Sequence, residues 1–266
     1  PAALTGTIGF KPSYGRVSRY GLVAFASSFD QIGPFATSTK DVAYIMETLS
    51  APCAKDATHV NTPAEPYLTI IEQPIEGMTV GVPWHFLESL TPQIRDNFEQ
   101  SIKTLKSLGV KIFEVDLDIL QHSVATYYIL ATAEASTNLA RYDGIRYGLR
   151  SSEAETLEEV YELSKKAGFG PEVKSRILLG TYVLSSGIKE SYYKKAQQVR
   201  TLVIQKFKQA FSSCDVIALP GSATPAMPIG SLQDPLQIYL QDLYTISANL
   251  AGLPGISVPS GFTLDG

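Results

Sequence analysis

Hydrophobic and polar positions along this 266-residue chain switch between a period of two and a helical period. Thr7–Phe10 is a short apolar run that meets Lys11-Pro12 and predicts a strand. Ser38-Thr39-Lys40-Asp41 has the form of a capping box, and Val42, Ile45, Met46 and Leu49 follow at i, i+3, i+4 and i+7, an amphipathic helix. Met78–Pro83 predicts a compact strand. Thr91-Pro92 pairs an N-cap with a first-turn proline. Ile94, Phe98, Ile102, Leu105 and Leu108 then share one helix face, which ends at Gly109. Val110–Val115 is the next strand. Strand, helix, strand at this spacing makes a βαβ unit with parallel strands and a right-handed crossover.

Helices predominate beyond it. Ile119 to about Arg141 is one long helical stretch, and Thr156–Ala167, Glu172–Ser185 and Glu190–Phe211 are three more. Val216–Pro220 reads as a buried strand and Ser222 to Pro235 as loop. Leu236–Leu250 reads as a helix stopped by Gly252 and Pro254, and Ile256–Pro259 begins another strand. Two stretches read as ordered loop. One runs from Lys11 to Pro34, rich in Gly, Ser and Arg with interleaved aromatics. The other, Pro52 to Pro66, holds Cys53, Asp56, His59 and Asn61. Strands mixed with many helices predict an α/β domain whose mainly parallel or mixed sheet carries helices on both faces.

The composition, 44% hydrophobic and 18% charged, suits one large core or two small ones. No apolar run reaches the roughly 18 residues of a membrane span. The formal net charge of −4 and scattered Lys and Arg argue against direct nucleic-acid contact, which calls for a basic face. Cys53 and Cys214 lie far apart with no CxxC pair, which argues against zinc and against a disulfide framework, and fits a reducing cytoplasm. The simplest role for both is as small buried thiols. His59, His85 and His122 stand near no G-x-S-x-G elbow, so a surface or capping role is expected of each. No H-E-x-x-H, P-loop or G-x-G-x-x-G occurs. Motifs alone stop at a soluble α/β domain belonging to an enzyme.

A resemblance goes further. Pro1-Ala2-Ala3, and the run from Gly9-Phe10-Lys11-Pro12-Ser13-Tyr14-Gly15-Arg16-Val17-Ser18-Arg19-Tyr20 to Phe29-Asp30-Gln31-Ile32-Gly33-Pro34, resemble the second half of the amidase signature. Asn138–Gly148, Leu179–Gly187, Tyr192–Gln197 and Asn249–Pro259 resemble later blocks of the same family, in order and at the right distances. The variant Arg141-Tyr142-Asp143-Gly144-Ile145-Arg146-Tyr147-Gly148 is similar to the tRNA-dependent amidotransferase branch.

The resemblance implies a layered α/β amidase-signature fold, a mixed sheet covered by helices on both faces, with residues 1–266 forming a single amidase domain incomplete at both ends. It implies that a serine attacks an amide, with a lysine acting as base through a bridging serine. In the family these three precede the proline that matches Pro1. No catalytic residue is therefore expected in this chain, and on its own it is expected to be inactive. Thr5, Thr7 and Ser13 are poor substitutes: the threonines alternate with apolar residues in a strand pattern, and no local lysine–serine pair accompanies any of them.

What the chain is expected to keep is a clasp for free glutamine. Aligned to the glutamine-using branch, the carboxylate partner falls on Arg176, the ammonium partner on Asp242 and a completing hydroxyl on Tyr127. An arginine fork suits a carboxylate because it binds in bidentate fashion. Without the alignment, Arg176 reads as a solvated helix residue, Asp242 as a salt-bridged helix-surface acid, and one of Tyr127 and Tyr128 as plain core. Arg16 and Arg19, flanking Ser18, read either as scaffold for the active-site floor or a partner, or as surface arginines, with scaffold favoured.

The implied activity is glutamine hydrolysis that supplies ammonia for the ATP-dependent amidation of Glu-tRNA(Gln), and by extension of Asp-tRNA(Asn). Partner subunits B and C would complete the enzyme; tRNA would be met only through the partner, and ATP and Mg would bind there, with no cofactor in this chain and no membrane contact. Two alternatives stand beside it. One is a free-standing amidase-signature hydrolase of another amide, for which an apolar substrate would call for apolar residues at 176 and 242. The other is a non-catalytic binding module.

Overall fold

The computed structural model describes residues 1–88, 90–231, 239 and 241–262. By its internal contacts the chain divides into two compact units. Residues 1–20, 31–124 and 200–266 form the first, and residues 21–30 and 125–199 the second.

In chain order the elements are β1 (Ile8–Lys11), β2 (Phe35–Ala36), α1 (Thr39–Leu49), α2 (Tyr67–Ile70), β3 (Thr79–Val82), α3 (Pro92–Ser107), β4 (Lys111–Glu114), α4 (Ser123–Leu139), α5 (Leu157–Gly168), α6 (Pro171–Leu184), α7 (Lys195–Ala210), β5 (Val216–Ile217), α8 (Ile246–Ala251) and β6 (Gly255–Ser257).

Among the described residues the first unit holds two three-stranded sheets, one antiparallel and one parallel, so the mixed α/β pairing expected is present. In the first, β1 lies between β2 and β6, antiparallel to both, with Gly9 opposite Phe35 on one side and Ser257 on the other. In the second, β3 lies between β4 and β5, parallel to both, in register Val80–Ile112 and Val80–Val216. The strands β3 and β4, joined through α3, are therefore parallel neighbours, as the spacing predicts. Gly81 permits close packing behind this sheet: a Cβ there would stand 2.8 Å from Cys214 Sγ and from a Val115 methyl.

Each sheet has its own core. Val80 and Val82 pack with Leu87, Leu90, Phe98, Ile102, Val110 and Tyr244. Ile8 packs with Val17, Val42 and Met46. The α1 cap is as expected, since Ser38 Oγ accepts from Asp41 N at 3.1 Å. Thr91 differs: its hydroxyl turns to the Ala223 carbonyl at 3.3 Å and makes no cap bond to α3. Leu108, placed on the buried face by periodicity, is 54% exposed because α3 has ended one residue earlier.

Other boundaries shift. The long helix predicted from Ile119 begins as a tighter 3₁₀ turn, Asp118–His122, before α4. The helix predicted at 190–211 opens with a wide π turn, Glu190–Lys194, before α7. The strand predicted at Thr7 begins at Ile8, after a 3₁₀ turn over Ala2–Leu4. Residues 232–235 of the expected loop, and 236–238 and 240 of the expected helix at 236–250, lie outside the described residues. Residues 241–245 form turns and α8 starts only at Ile246.

Candidate functional site

Two of the three expected clasp residues, Tyr127 and Arg176, come together inside the second unit, on α4 and α6. Glycine makes this possible. A Cβ on Gly180 would lie 1.9 Å from the Thr132 carbonyl oxygen, so α6 crosses α4 backbone to backbone at that point. Arg176 stands one turn before Gly180, and Tyr128 one turn before Thr132. The arginine therefore meets the tyrosine.

The Arg176 guanidinium lies over two ring faces, with its Cζ 5.5 Å from the Tyr128 centroid and 5.6 Å from that of Phe25. Cations are drawn to aromatic faces by the ring quadrupole. Its Nε donates to Glu172 Oε1 at 2.7 Å. Burial lowers the arginine's pKa, the Glu172 hydrogen bond raises it, and the net direction is upward, so the charge is secure. Its side chain is 24% exposed. Among the described residues no acceptor meets its two terminal nitrogens, which form the edge suited to a planar carboxylate.

Tyr127 stands edge-on to Tyr128 at 5.2 Å and to Phe29 at 5.6 Å. Both tyrosines are half-buried, so neither is the plain core residue expected of one of them.

Phe25 and Phe29 sit on the signature-like loop before Pro34, where neither phenylalanine is singled out by the sequence. Its turn is tied by Asp30, whose carboxylate accepts from Phe25 N at 2.9 Å and Ala26 N at 3.1 Å. Helix α4 then clamps it. Glu134 accepts from Ser28 N at 2.8 Å and from Ser28 Oγ at 2.5 Å. Asn138 Nδ2 donates to the Phe25 carbonyl at 3.1 Å and to Ser27 Oγ at 2.9 Å. The signals available in the sequence are the signature resemblance that takes in Phe29 and Asp30, and a composition of two phenylalanines and two serines within five residues.

Asp242 belongs to the first unit. It is exposed and lies in the turn before α8, where its carbonyl accepts from Ile246 N at 3.0 Å and Thr245 N at 3.1 Å. The expected mid-helix setting is replaced by a helix-entry turn.

Arg16 and Arg19 fasten the loop at 14–20 to that at 53–67. Arg16 donates to Thr62 Oγ1 at 2.7 Å and to the Pro63 carbonyl at 2.8 Å. Arg19 donates through its backbone to Asp56 at 2.8 Å and through Nη2 to Thr58 Oγ1 at 2.6 Å. The Asp56 carboxylate, held by the Arg19 backbone N–H and by Thr58, is lowered to about 2. Inside this loop pair His59 is buried, against the expected surface role. Cys53 is partly exposed where a buried thiol was expected, with its pKa lowered first of all by the Ser18 hydroxyl; Cys214 is buried.

Thr5 and Thr7 share a hydroxyl hydrogen bond at 2.9 Å, and Thr5 also reaches the Pro1 carbonyl at 3.1 Å. Among the described residues neither meets a basic side chain, so no local nucleophile is assembled there. Nor does any group of three or more His, Cys, Asp or Glu among the described residues suit a metal ion.

The amidase family model matches residues 1–266. The chain is 58% identical, over its full length, to the A subunit of the glutamyl-tRNA(Gln) amidotransferase of Protochlamydia amoebophila (strain UWE25), of which it covers 54%. It is 50% identical, again over its full length, to the same polypeptide of Syntrophus aciditrophicus (strain SB), of which it covers 55%. Its fold matches the crystal structure of the corresponding Thermotoga maritima polypeptide with a TM-score of 0.79 and 41% identity, over all of this chain and 53% of that one. The chain thus spans about half the length of the curated relatives it matches. A match along every residue, with the signature blocks in order, places the chain in the amidase family.

Proposed function

We propose that this chain is the glutamine-gripping part of the amidase subunit of a tRNA-dependent amidotransferase. Glutamine presents a planar carboxylate, an ammonium and the amide to be cleaved. Within the second unit Arg176 would take the carboxylate on its two terminal nitrogens and the Tyr127 hydroxyl would complete the set, while the ammonium role falls to Asp242 by the resemblance alone. Holding both charged groups fixes the amide carbon for attack and converts a bimolecular encounter into an oriented one.

The observation that carries the reading is the Arg176 fork, flanked by two ring faces, fixed at Nε and, among the described residues, open at its terminal nitrogens. A site for an apolar amide has no use for such a charge. The relatives' names support the same reading. On it, an activated serine takes the acyl group and ammonia leaves for partner subunits B and C. ATP and magnesium held by the partner would supply the activation of the aminoacyl-tRNA carboxylate there, and this chain would meet tRNA only through the partner, in the cytoplasm.

The test is glutaminase kinetics of the full-length protein with its partners. Arg176→Ala should raise the glutamine KM by about a hundredfold or more, equivalent to roughly 3 kcal/mol. An unchanged KM would remove Arg176 from the site.

A further inference from the structure

An arginine side chain is rich in rotamer entropy, so a fork left loose loses affinity when it closes on its ligand. Arg176 is not loose. Glu172 fixes its Nε edge, and the faces of Tyr128 and Phe25 fix its plane. Glu172 and Tyr128 come from the two helices. Phe25 comes from a loop far away in sequence, and that loop is tied down to an unusual degree. Side chains hold both backbone polar groups of Phe25 itself, Asp30 taking its N–H and Asn138 its carbonyl. Glu134 fixes Ser28 through two more hydrogen bonds. Phe29 on the same loop is buried and explains itself as core, whereas Phe25 is only half-buried. So much fixation of a half-exposed ring has a purpose where the ring meets Arg176.

We propose that Phe25 is a positioning residue for Arg176, delivered by the 25–30 loop, and that with Glu172 and Tyr128 it makes the site select substrates bearing an α-carboxylate. The inference rests on the proposed role of Arg176 as the carboxylate clamp. Phe25 touches no substrate atom in this account; it acts by holding the fork in the plane that a carboxylate needs.

The experiment uses the full-length protein with its partners and two compounds. One is glutamine. The other is γ-aminobutyramide, which keeps the amide and the ammonium but lacks the carboxylate; it is assayed as substrate or, where turnover is too slow to see, as competitive inhibitor. Phe25→Leu should raise the glutamine KM about fivefold to tenfold and leave kcat within about twofold. It should leave γ-aminobutyramide binding unchanged, and Phe25→Tyr should restore the glutamine KM. Should Phe25→Leu fail to fold, Glu172→Gln reads the same frame, with an increase of about threefold confined to glutamine. A wild-type glutamine KM in Phe25→Leu, or an equal loss for both compounds, overturns the positioning role while Arg176→Ala still reports on the clamp. If Arg176→Ala itself spares the glutamine KM, the clamp reading has failed and the positioning role falls with it.

Discussion

Glu172 and Arg176 stand one turn apart on α6, and the arginine donates its Nε to the glutamate at 2.7 Å while its guanidinium rests over the rings of Phe25 and Tyr128. The glutamate is 59% exposed, so the pair adds little to the helix; pairs of this spacing contribute about 0.3–0.5 kcal/mol. Its consequence is orientation. Glu172→Ala should therefore move the urea midpoint by no more than about 0.5 kcal/mol of stability. A loss several times larger would mean that the pair is structural.

Glu134 should matter more for stability. It accepts both the backbone N–H and the hydroxyl of Ser28, and both bonds are charge-assisted. Glu134→Ala should cost about 2–4 kcal/mol in equilibrium unfolding, with Glu134→Gln recovering part of it. Near-native stability in the alanine variant would mean that the loop is held by its other contacts alone.

Gly180 and Gly168 make a paired test of helix approach. A Cβ at 180 would overlap the Thr132 carbonyl at 1.9 Å, whereas one at 168 meets Leu149 Cβ at an ordinary 3.6 Å. Gly180→Ala should destabilise by about 1–3 kcal/mol as α6 is pushed off α4. Gly168→Ala should be neutral or gain up to about 1 kcal/mol from helix propensity. Thermal denaturation of the two variants decides, and equal effects would refute the close crossing.

Asp56 gives the protein an acid-sensitive joint. Its carboxylate is held at about 2, below its ordinary 3.8, first by the Arg19 backbone N–H and then by Thr58. A carboxylate lowered on folding stabilises above its unfolded value and loses that contribution as pH falls through the folded one. Stability should drop between about pH 4 and pH 2, and Asp56→Asn should flatten that part of the curve. An identical acid limb in the variant would assign the joint to other carboxylates.

Lys11 acts in the opposite pH range. Burial lowers it from 10.5 to about 8, and among the described residues its ammonium reaches only uncharged oxygens: the Leu253 carbonyl, Gln31 Oε1 at 3.1 Å and the Pro12 carbonyl at 3.3 Å. Below about pH 8 both folded and unfolded chains carry the charge, and the burial cost is fully present. Between about 8 and 10.5 the unfolded chain binds the extra proton, so stability contributed at this site rises with pH. Relative to Lys11→Met, the wild-type urea midpoint should climb from pH 7 to pH 9.5. Parallel curves would show that Lys11 keeps its ordinary pKa.

Helix positions and the βαβ unit were legible in the sequence because they follow from contacts between near neighbours. The spacing of Val42 and Met46, the Ser38–Asp41 cap and the Val80–Phe98–Val110 crossover all depend on residues within one or two elements. So, through resemblance, was the pairing of Tyr127 with Arg176 as candidates, although nothing in their own spacing links them. The antiparallel pairing of β1 with β6, the burial of His59 and the seating of Phe25 over Arg176 were decided by the tertiary structure alone. Each joins segments far apart in the chain, where period and propensity carry no information. The ring of Phe25 illustrates the physical reason. Its sequence neighbours specify an ordered loop, but its place over a cation is set by Asp30, Glu134 and Asn138 bonding to loop atoms that any sequence reading treats as interchangeable backbone and serine.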